Sequence, residues 1–280
     1  MLRRGEIRVN GGRIKQDYRL KTGDKIRIPP VHIAVTEIRG LPGDKLMNLV
    51  RDALIFENDD MIIMNKPAGI SVHSGSGQTF GIIEILRILR PVDTDLQLVH
   101  RLDRETSGCL MLAKNSLSLR WLHACLREGR IQKQYSALLM GQLPNRTLEV
   151  SAPIEKNIAR PGKRTVAISA SGKTALTVFT RARQFKQTTL TEVRIDTGRT
   201  HQIRVHAAHI NHPIAGDSKY GDKSFNQDMR KIGLRRLFLH ARSLSIPAWP
   251  GRQYELVMES VLPGDLQTVL TTLETTRFKE

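Results

Sequence analysis

The sequence predicts an α+β fold with a mixed, mostly antiparallel central sheet and flanking helices and loops. Two observations predict it. Segments with strand-like apolar patterns recur along the chain, and helical patterns stand between some of them without strict strand–helix alternation. The 280 residues allow one large domain with a small appendage, and a hydrophobic fraction of 40% is sufficient for a packed core.

The first 30 residues form a small basic unit. Residues 6–10 alternate like a strand, an Asn-Gly-Gly turn follows, and a second turn at 21–24 leads into another strand closed by two prolines. The unit is too small to bury a core of its own. Nine basic residues stand against three acidic ones, so this hairpin either is simply solvated or lies along a phosphate backbone. On the second interpretation, the expected RNA contacts are Arg3, Arg4, Arg8, Arg13 and Lys15.

The remaining chain divides into a linker and a main domain. Residues 31–52 carry no strong period and are predicted to be a linker, whereas residues 53–280 form the domain with the sheet. Strands are predicted at 61–64, 132–140, 166–169, 175–181, 190–195 and 237–243. Helices are predicted at 82–89, 119–126 and 202–210, the second of them ended by Gly129.

Charge and composition narrow the class of function. A net charge of +17 gives the surface a positive field that attracts polyanions. No apolar run is long enough to span a bilayer, and the first residues lack the pattern of a signal peptide. Cys109 and Cys125 lie in apolar surroundings, which is typical of reduced core residues. We therefore expect a cytoplasmic protein that binds nucleic acid and no membrane.

Residues 100–108 are the first candidate site. Asp103 stands between Arg101 and Arg104, and such an aspartate is often only a salt-bridged surface group or a helix cap. Here, however, apolar segments precede and follow it, which places Asp103 in a turn between two buried strands. A carboxylate held there beside guanidinium groups stays ionised and can act as a nucleophile or a base.

Residues 197–206 are the second candidate site. Gly198 turns the chain out of a strand, and Thr200 is predicted to cap the helix that follows. Arg204 then lies one turn inside this helix, within reach of a carboxylate on a neighbouring loop. The histidines of this region could form a metal site, but their spacing and the missing glutamate favour capping and packing, and no metal is expected. The histidines concerned are His201, His206, His209 and His212.

Five segments together resemble the RluA-type pseudouridine synthases. They are 100–103 with 106–108 (His-Arg-Leu-Asp, Thr-Ser-Gly), 65–69 (Asn-Lys-Pro-Ala-Gly), 132–135 (Gln-Lys-Gln-Tyr), 198–206 and 237–241. They follow the order of the family over about residues 53–262, which would make 53–280 the catalytic domain. Residues 1–30 resemble the second half of an S4 RNA-binding domain, so we expect the chain to begin within that domain.

The resemblance implies a role for individual residues. Asp103 corresponds to the essential carboxylate, Arg204 to the arginine paired with it, and Tyr135 to the tyrosine that stacks on the target base. Arg101 corresponds to the arginine that enters the RNA stack when the uridine leaves it, and Leu239 to an apolar residue of the site floor. His201 and Gln202, in the same motif as Arg204, are expected to bind substrate.

The implied activity is the isomerisation of specific uridines to pseudouridine in large-subunit (23S) ribosomal RNA. Within the family the resemblance is greatest to the C-type members, with the D type as the nearest alternative. No cofactor or metal is expected, because the reaction neither gains nor loses a group, and we expect a monomer. Three other functions remain open: a synthase acting on transfer RNA, a non-catalytic RNA-binding protein of ribosome assembly, and a metal-dependent nuclease.

Overall fold

The computed structural model describes residues 5–15, 17–30, 40–75, 78–160, 163–251 and 253–277. The chain divides into two units, residues 1–41 and 42–280. Arg3 and Arg4, two of the expected RNA contacts, lie outside the described residues, as do Ser76 and Gly77 of the glycine-rich loop.

The first unit contains a three-stranded antiparallel sheet. Its strands are β1 (Arg8–Val9), β2 (Gly12–Arg13) and β3 (Ile26–Arg27), in the order β2-β1-β3. Asn10 and Gly11 join β1 to β2 with φ angles of 51° and 80°, the backbone that a two-residue hairpin turn requires. The turn predicted from the sequence is therefore confirmed.

The second unit begins with a helix that the sequence analysis did not predict. We expected no regular element within residues 31–52, but α1 (Asp44–Arg51) occupies the end of that range. Val50 is fully buried, and Leu46 and Met47 pack against the same core. The pattern was missed because only four of the eight residues are apolar and one of them, Leu49, is exposed.

A large sheet forms the body of the second unit. Its strands are β4 (Leu54–Glu57), β5 (Met61–Lys66), β6 (Gln97–Leu98), β7 (Ser107–Ala113), β8 (Gln132–Met140), β9 (Thr147–Ser151), β12 (Leu176–Gln184), β13 (Thr188–Ile195), β14 (Leu239–Ile246) and β15 (Leu256–Glu259). Two more strands, β10 (Ile154–Arg160) and β11 (Lys163–Ile168), form a separate hairpin. The order in the sheet is β4-β5-β7-β14-β8-β13-β12-β9, with β6 on β7 and β15 on β14. All pairs are antiparallel except β7 with β14. The predicted mixed, mostly antiparallel sheet is confirmed.

The sheet is covered on both faces by helices. These are α2 (Ile82–Leu89), α3 (Ser116–Arg127), α4 (Gln202–His209), α5 (Lys223–Lys231) and α6 (Gly264–Arg277). Alternate residues of β5 enter different clusters: Met61 and Ile63 pack with Leu122 and Cys125 of α3, whereas Ile62 and Met64 join the larger core on the other face. Two-sided burial explains why this strand reads as a continuous apolar run.

The predicted elements agree closely with these bounds. Besides α1, two helices and four strands are additional: α5, α6, β4, β9, β10 and β15. The helix at 82–89 and the strand at 132–140 are confirmed to the residue. Helices α5 and α6 were not predicted, because α5 buries only Phe225 and Met229 as apolar residues and α6 is rich in threonine. Cys109 and Cys125 are buried and unpaired, as expected.

Gly108 lets β7 run directly against β14. Its φ is +111°, and a Cβ built on it would lie 2.2 Å from the carbonyl oxygen of Ala241. Only glycine tolerates both the backbone conformation and the close approach. Since Gly108 follows the loop of Asp103 by five residues, this contact fixes where that loop leaves the sheet.

The Gly108→Ala substitution is predicted to destabilise the protein by about 3 kcal/mol or more, because the backbone of β14 must move. The control is Gly129→Ala, where φ is +69° but nothing lies within 4 Å. This control should cost only ~1 kcal/mol of backbone strain. Urea unfolding of both variants measures the difference, and equal losses would contradict the close-approach argument.

Candidate active site

Asp103 lies in the loop between β6 and β7 with its carboxylate only partly exposed. Its Oδ2 accepts a hydrogen bond of 3.1 Å from Nη1 of Arg204 in α4. The neighbouring Arg104 is exposed and pairs with Glu105, and Arg101 is also exposed. The guanidinium beside Asp103 therefore comes from a helix 101 residues later in the chain, and not from its sequence neighbours.

Arg204 is held by two carboxylates at once. Its Nε and Nη2 each donate a 2.8 Å hydrogen bond to Asp217, and Nη1 reaches Asp103. Burial by itself favours loss of the arginine proton, but the bonds and charge of Asp217, together with Asp103, outweigh it and raise the pKa of Arg204. The guanidinium is thus a permanently charged and rigidly oriented neighbour of Asp103.

Asp217 positions Arg204 and was missed by the sequence analysis. Its side chain is completely buried, and besides Arg204 it accepts hydrogen bonds from the backbone amides of Lys219 and Tyr220. Burial would raise the pKa of Asp217, but the bonds from Arg204 outweigh it and lower that pKa. The sequence offers little signal for this role, because a Gly-Asp pair is equally typical of an ordinary turn.

His201 also stands close to Asp103. It adopts a left-handed conformation, φ 54°, at the first position before α4. Its Nδ1 lies 2.7 Å from the hydroxyl of Tyr220, and its Nε2 lies 3.9 Å from Oδ2 of Asp103. Burial is the main cause that raises the pKa of Tyr220 to about 12, so this hydroxyl keeps its proton at neutral pH.

The start of α4 differs from the prediction in its cap, and Gln202 organises the loop before it. Thr200 does not cap the helix: the residue at that position is His201, and its side chain makes no capping bond. Instead, Oε1 of Gln202 accepts bonds from the Arg199 amide and the Thr197 hydroxyl, and its Nε2 donates to Leu176 and Thr177. These bonds hold the loop before α4, and the expected role of Gln202 in substrate binding stays a prediction.

A narrow cavity brings most of the expected site residues together. It is lined by Arg101, Asp103, Tyr135, His201, Gln202, Arg204 and Leu239, among others. Tyr135 in β8 and Leu239 in β14 are both buried and form its apolar wall. Burial, followed by the charge of Asp103, raises the pKa of Tyr135, so its phenol stays protonated. The cavity therefore combines one carboxylate with an aromatic and aliphatic wall.

Lys66 supports the loop of Asp103 from below and is a second residue that we had not assigned. It is fully buried, and its Nζ donates to the carbonyl oxygens of Pro67, Ile70 and Arg104. Burial lowers its pKa to about 7, with the charges of Glu105 and Asp103 opposing the shift. Lys66 is the last residue of β5 and follows the apolar run of 61–64 and Asn65, so its place in the Asn-Lys-Pro-Ala-Gly segment was the available signal.

Two further histidines of the region, His206 and His212, have structural partners. His206 is buried between the Thr177 hydroxyl and the Ala152 carbonyl, and Nδ1 of His212 lies 2.8 Å from the Met140 carbonyl. Across the part of the chain that the structure describes, no group of three or more His, Cys, Asp or Glu residues could hold a metal ion. Within the same residues, no helix has the length and apolar character needed to cross a membrane.

The expected RNA contacts that are described lie in the first unit. Arg8 pairs across the small sheet with Arg13 on one side and Arg27 on the other, and Lys15 follows β2 as an exposed residue. Directly paired residues of an antiparallel sheet share a face. Arg8, Arg13 and Arg27 therefore form a row on one face of the small sheet. Like charges in such a row repel one another.

The Asp217→Asn substitution is predicted to destabilise the fold by about 3 kcal/mol at neutral pH, because it removes one partner of a buried ion pair. Since the folded-state pKa of Asp217 is lowered, its contribution is present above the unfolded pKa of about 3.9 and is lost as pH falls through the folded value. The gap from wild type should therefore shrink below about pH 4.

The matched control is Asp228→Asn, which removes an exposed pair with Lys231 and should cost less than about 0.5 kcal/mol. Urea titrations at several pH values measure both variants. A cost for Asp217→Asn no larger than that of the control would contradict the proposed support of Arg204.

Comparisons with known proteins agree with this geometry. Residues 60–209 match the family described as RNA pseudouridylate synthase. Ribosomal large subunit pseudouridine synthase C of Haemophilus influenzae is 49% identical over 87% of this chain and 76% of its own length. The protein of the same name in Escherichia coli K12 is 44% identical over 99% of this chain and 88% of its own length. The solved human RNA pseudouridylate synthase domain containing 4 aligns with a TM-score of 0.68 at 26% identity, over 82% of this chain and 96% of that one. A family match over most of the sheet, with relatives this similar along nearly the whole chain, means that the protein belongs to the RNA pseudouridylate synthases.

Proposed function

We propose that this synthase converts specific uridines of large-subunit ribosomal RNA to pseudouridine, with Asp103 as the catalytic carboxylate. One observation carries the assignment: Asp103 is bonded to the buried Arg204 in a cavity walled by Tyr135 and Leu239. The choice of RNA is supported by the relatives from Haemophilus and Escherichia, whose names specify the large ribosomal subunit.

The chemistry requires a carboxylate rather than a cofactor. The reaction breaks the bond between ribose C1′ and uracil N1, turns the base, and joins its C5 to C1′; C5 then releases its proton to water and N1 takes one up. Positive charge develops on the ribose as the first bond breaks, as in glycoside cleavage. An ionised Asp103 can stabilise that charge, add to C1′, or take a proton from C2′. Because no group or electron is exchanged with another molecule, we propose that neither metal nor cofactor takes part.

The walls of the cavity suit a detached base. The uridine must leave the RNA stack, which costs a few kcal/mol, and the exposed Arg101 at the rim can take its place in the stack. Stacking on Tyr135 is worth ~1–3 kcal/mol, and Leu239 covers the base with apolar surface. Both contacts would retain the uracil while it turns. His201, 3.9 Å from Asp103, stands where it can contact the bound nucleotide.

We also propose that residues 1–30 are an RNA-binding unit, related to part of an S4 domain, and that residues 53–280 are catalytic. The row of Arg8, Arg13 and Arg27 supports the first part, because like charges placed side by side are costly unless a polyanion covers them. The enzyme is further proposed to act as a monomer in the cytoplasm.

Transfer RNA is the main alternative substrate, since a catalytic site of this kind does not by itself distinguish RNA classes. Mapping pseudouridines in ribosomal and transfer RNA from a strain lacking the gene decides between them. Loss of modified positions only in large-subunit ribosomal RNA is the expected result, and loss only in transfer RNA would overturn the proposed substrate.

The Asp103→Asn substitution is predicted to abolish pseudouridine formation, because it removes the charge of the carboxylate. RNA affinity should stay within about twofold of the wild-type value, because asparagine keeps the shape and size of the side chain. Tritium release from RNA labelled at C5 of uridine measures turnover, and filter binding measures affinity. The control is Asp95→Asn, an exposed carboxylate outside the cavity, which should retain full activity. Substantial turnover by Asp103→Asn would remove Asp103 from its role.

The combined substitution of Arg8, Arg13 and Arg27 by Gln is predicted to weaken RNA binding and to lower the slope of log affinity against log salt by about 2. The rate of a saturated single turnover should not change, because these residues act on binding. A control with Lys45, Lys223 and Lys231 changed to Gln removes the same charge from exposed helical positions. Equal salt slopes for the two variants would show that the row is not an RNA contact.

A further inference from the structure

A second and larger cavity adjoins the one that contains Asp103. It has a volume of about 580 Å³ and shares Arg101, Tyr135, Gly198 and Arg199 with the first. Arg127 and Lys133 line the second cavity and not the first. The catalytic carboxylate does not line it, so this cavity extends the site sideways without adding to the reacting centre.

Lys133 is the unusual residue of this cavity. It lies in β8 two residues before Tyr135, so the two side chains point to the same face of the sheet about 6.6 Å apart along the strand. Only 8% of Lys133 is exposed. Among the residues that the structure describes, no hydrogen bond or ion pair involves its Nζ, and this atom borders the cavity and is not among the completely enclosed polar atoms. An ammonium group that is largely withdrawn from water and has no such partner is costly, so an anion that enters the cavity would stabilise it.

The surroundings of Lys133 select an anion as that partner. Burial lowers its pKa, and the attraction that opposes this comes from Asp196, which is exposed and bonded to Arg194 at 3.2 Å. The other charged side chains facing the cavity are basic: Arg101, Arg127 and Arg199. An arriving anion would therefore meet a mostly positive field, in which the one carboxylate of the lining, Asp196, is already paired with Arg194.

Gly198 leaves the approach to Lys133 open. A Cβ added at Gly198 would lie 3.9 Å from Nζ of Lys133, and no other atom lies within 4 Å of that position. The glycine does not need a left-handed backbone, so conformational freedom does not account for it. A larger side chain there would stand over the ammonium group and close the path from solvent.

We propose that Lys133 is a phosphate-binding residue that holds a phosphodiester of a nucleotide next to the target uridine. This inference rests on the proposed function in one respect: it assumes that the target uridine binds in the cavity with Asp103 and Tyr135. Contact with the uracil itself does not fit, because Lys133 does not line that cavity. A phosphate would supply the missing ion pair, and the RNA strand would pass from the cavity of Asp103 into the larger one.

The first test is the salt dependence of RNA binding by Lys133→Met, which keeps the buried stem and removes the charge. The probe is a stem–loop of large-subunit ribosomal RNA in which the wild-type protein forms pseudouridine. Affinity is expected to fall about tenfold, and the salt slope by about 0.7 to 0.9, the contribution of one phosphate contact. Lys133→Arg should restore most of the affinity, and Lys45→Met, an exposed lysine outside both cavities, should change the slope less.

The second test locates the phosphate. Single methylphosphonate linkages, which lack the negative charge, are placed one at a time on either side of the target uridine. One position should weaken wild-type binding about tenfold and have little further effect on Lys133→Met, since each change removes the same contact. Equal penalties for both proteins at every position, or a salt slope like that of Lys45→Met, would overturn the proposal.

Failure of the proposed function has a different signature. If the wild-type protein modifies no uridine of large-subunit ribosomal RNA, the substrate assignment fails, and the RNA that it does modify replaces the stem–loop in the same two tests. If Asp103→Asn retains turnover, the catalytic assignment fails while the affinities of the Lys133 variants still decide the phosphate contact. Urea unfolding of Lys133→Met confirms that the compared proteins are folded.

Discussion

The guanidinium of Arg204 is the group on which the arrangement of the site depends. It donates hydrogen bonds to two carboxylates, Asp217 and Asp103. Two of its three nitrogens, Nε and Nη2, bind Asp217, and Nη1 binds Asp103. A buried charge pair is rarely a net gain in stability, but it fixes geometry. Because Asp217 holds the arginine in place, the remaining nitrogen points at Asp103 before any RNA is present. The charge beside the proposed catalytic carboxylate is therefore preorganised.

The loop that carries Asp103 is held at its far end by a backbone contact and beside Asp103 by the side chain of Lys66. At its far end Gly108 lies directly against β14, the one parallel neighbour of β7 in the described sheet. Beneath the loop, Lys66 binds three carbonyl oxygens, including that of Arg104 next to Asp103. Gly108 and Lys66, which belong to the family segments, therefore set the position of the backbone at Asp103. Arg204 sets the position of the Asp103 side chain.

Two buried lysines of this domain show opposite solutions to the same cost. Lys66 is surrounded by carbonyl acceptors and is complete within the protein. Lys133 has no such acceptor in the described structure and faces a cavity lined with arginines. Burial lowers the pKa of both. Only Lys133 is left to bind an anion from outside the protein. The net charge of +17 means that the protein as a whole attracts anions.

The sequence by itself determined the fold class, most elements and the segments of the site, because apolar periodicity and turn residues act locally. It also pointed to Asp103, Tyr135, Arg204 and Leu239, which the structure places around one cavity. It did not reveal α1, the support of Arg204 by Asp217, or the internal bonding of Gln202. Those features depend on which groups meet across the folded chain, and the partner of a charge or an amide is decided by packing rather than by spacing along the sequence. Tertiary structure alone therefore decided which polar groups are satisfied within the protein and which remain available to RNA.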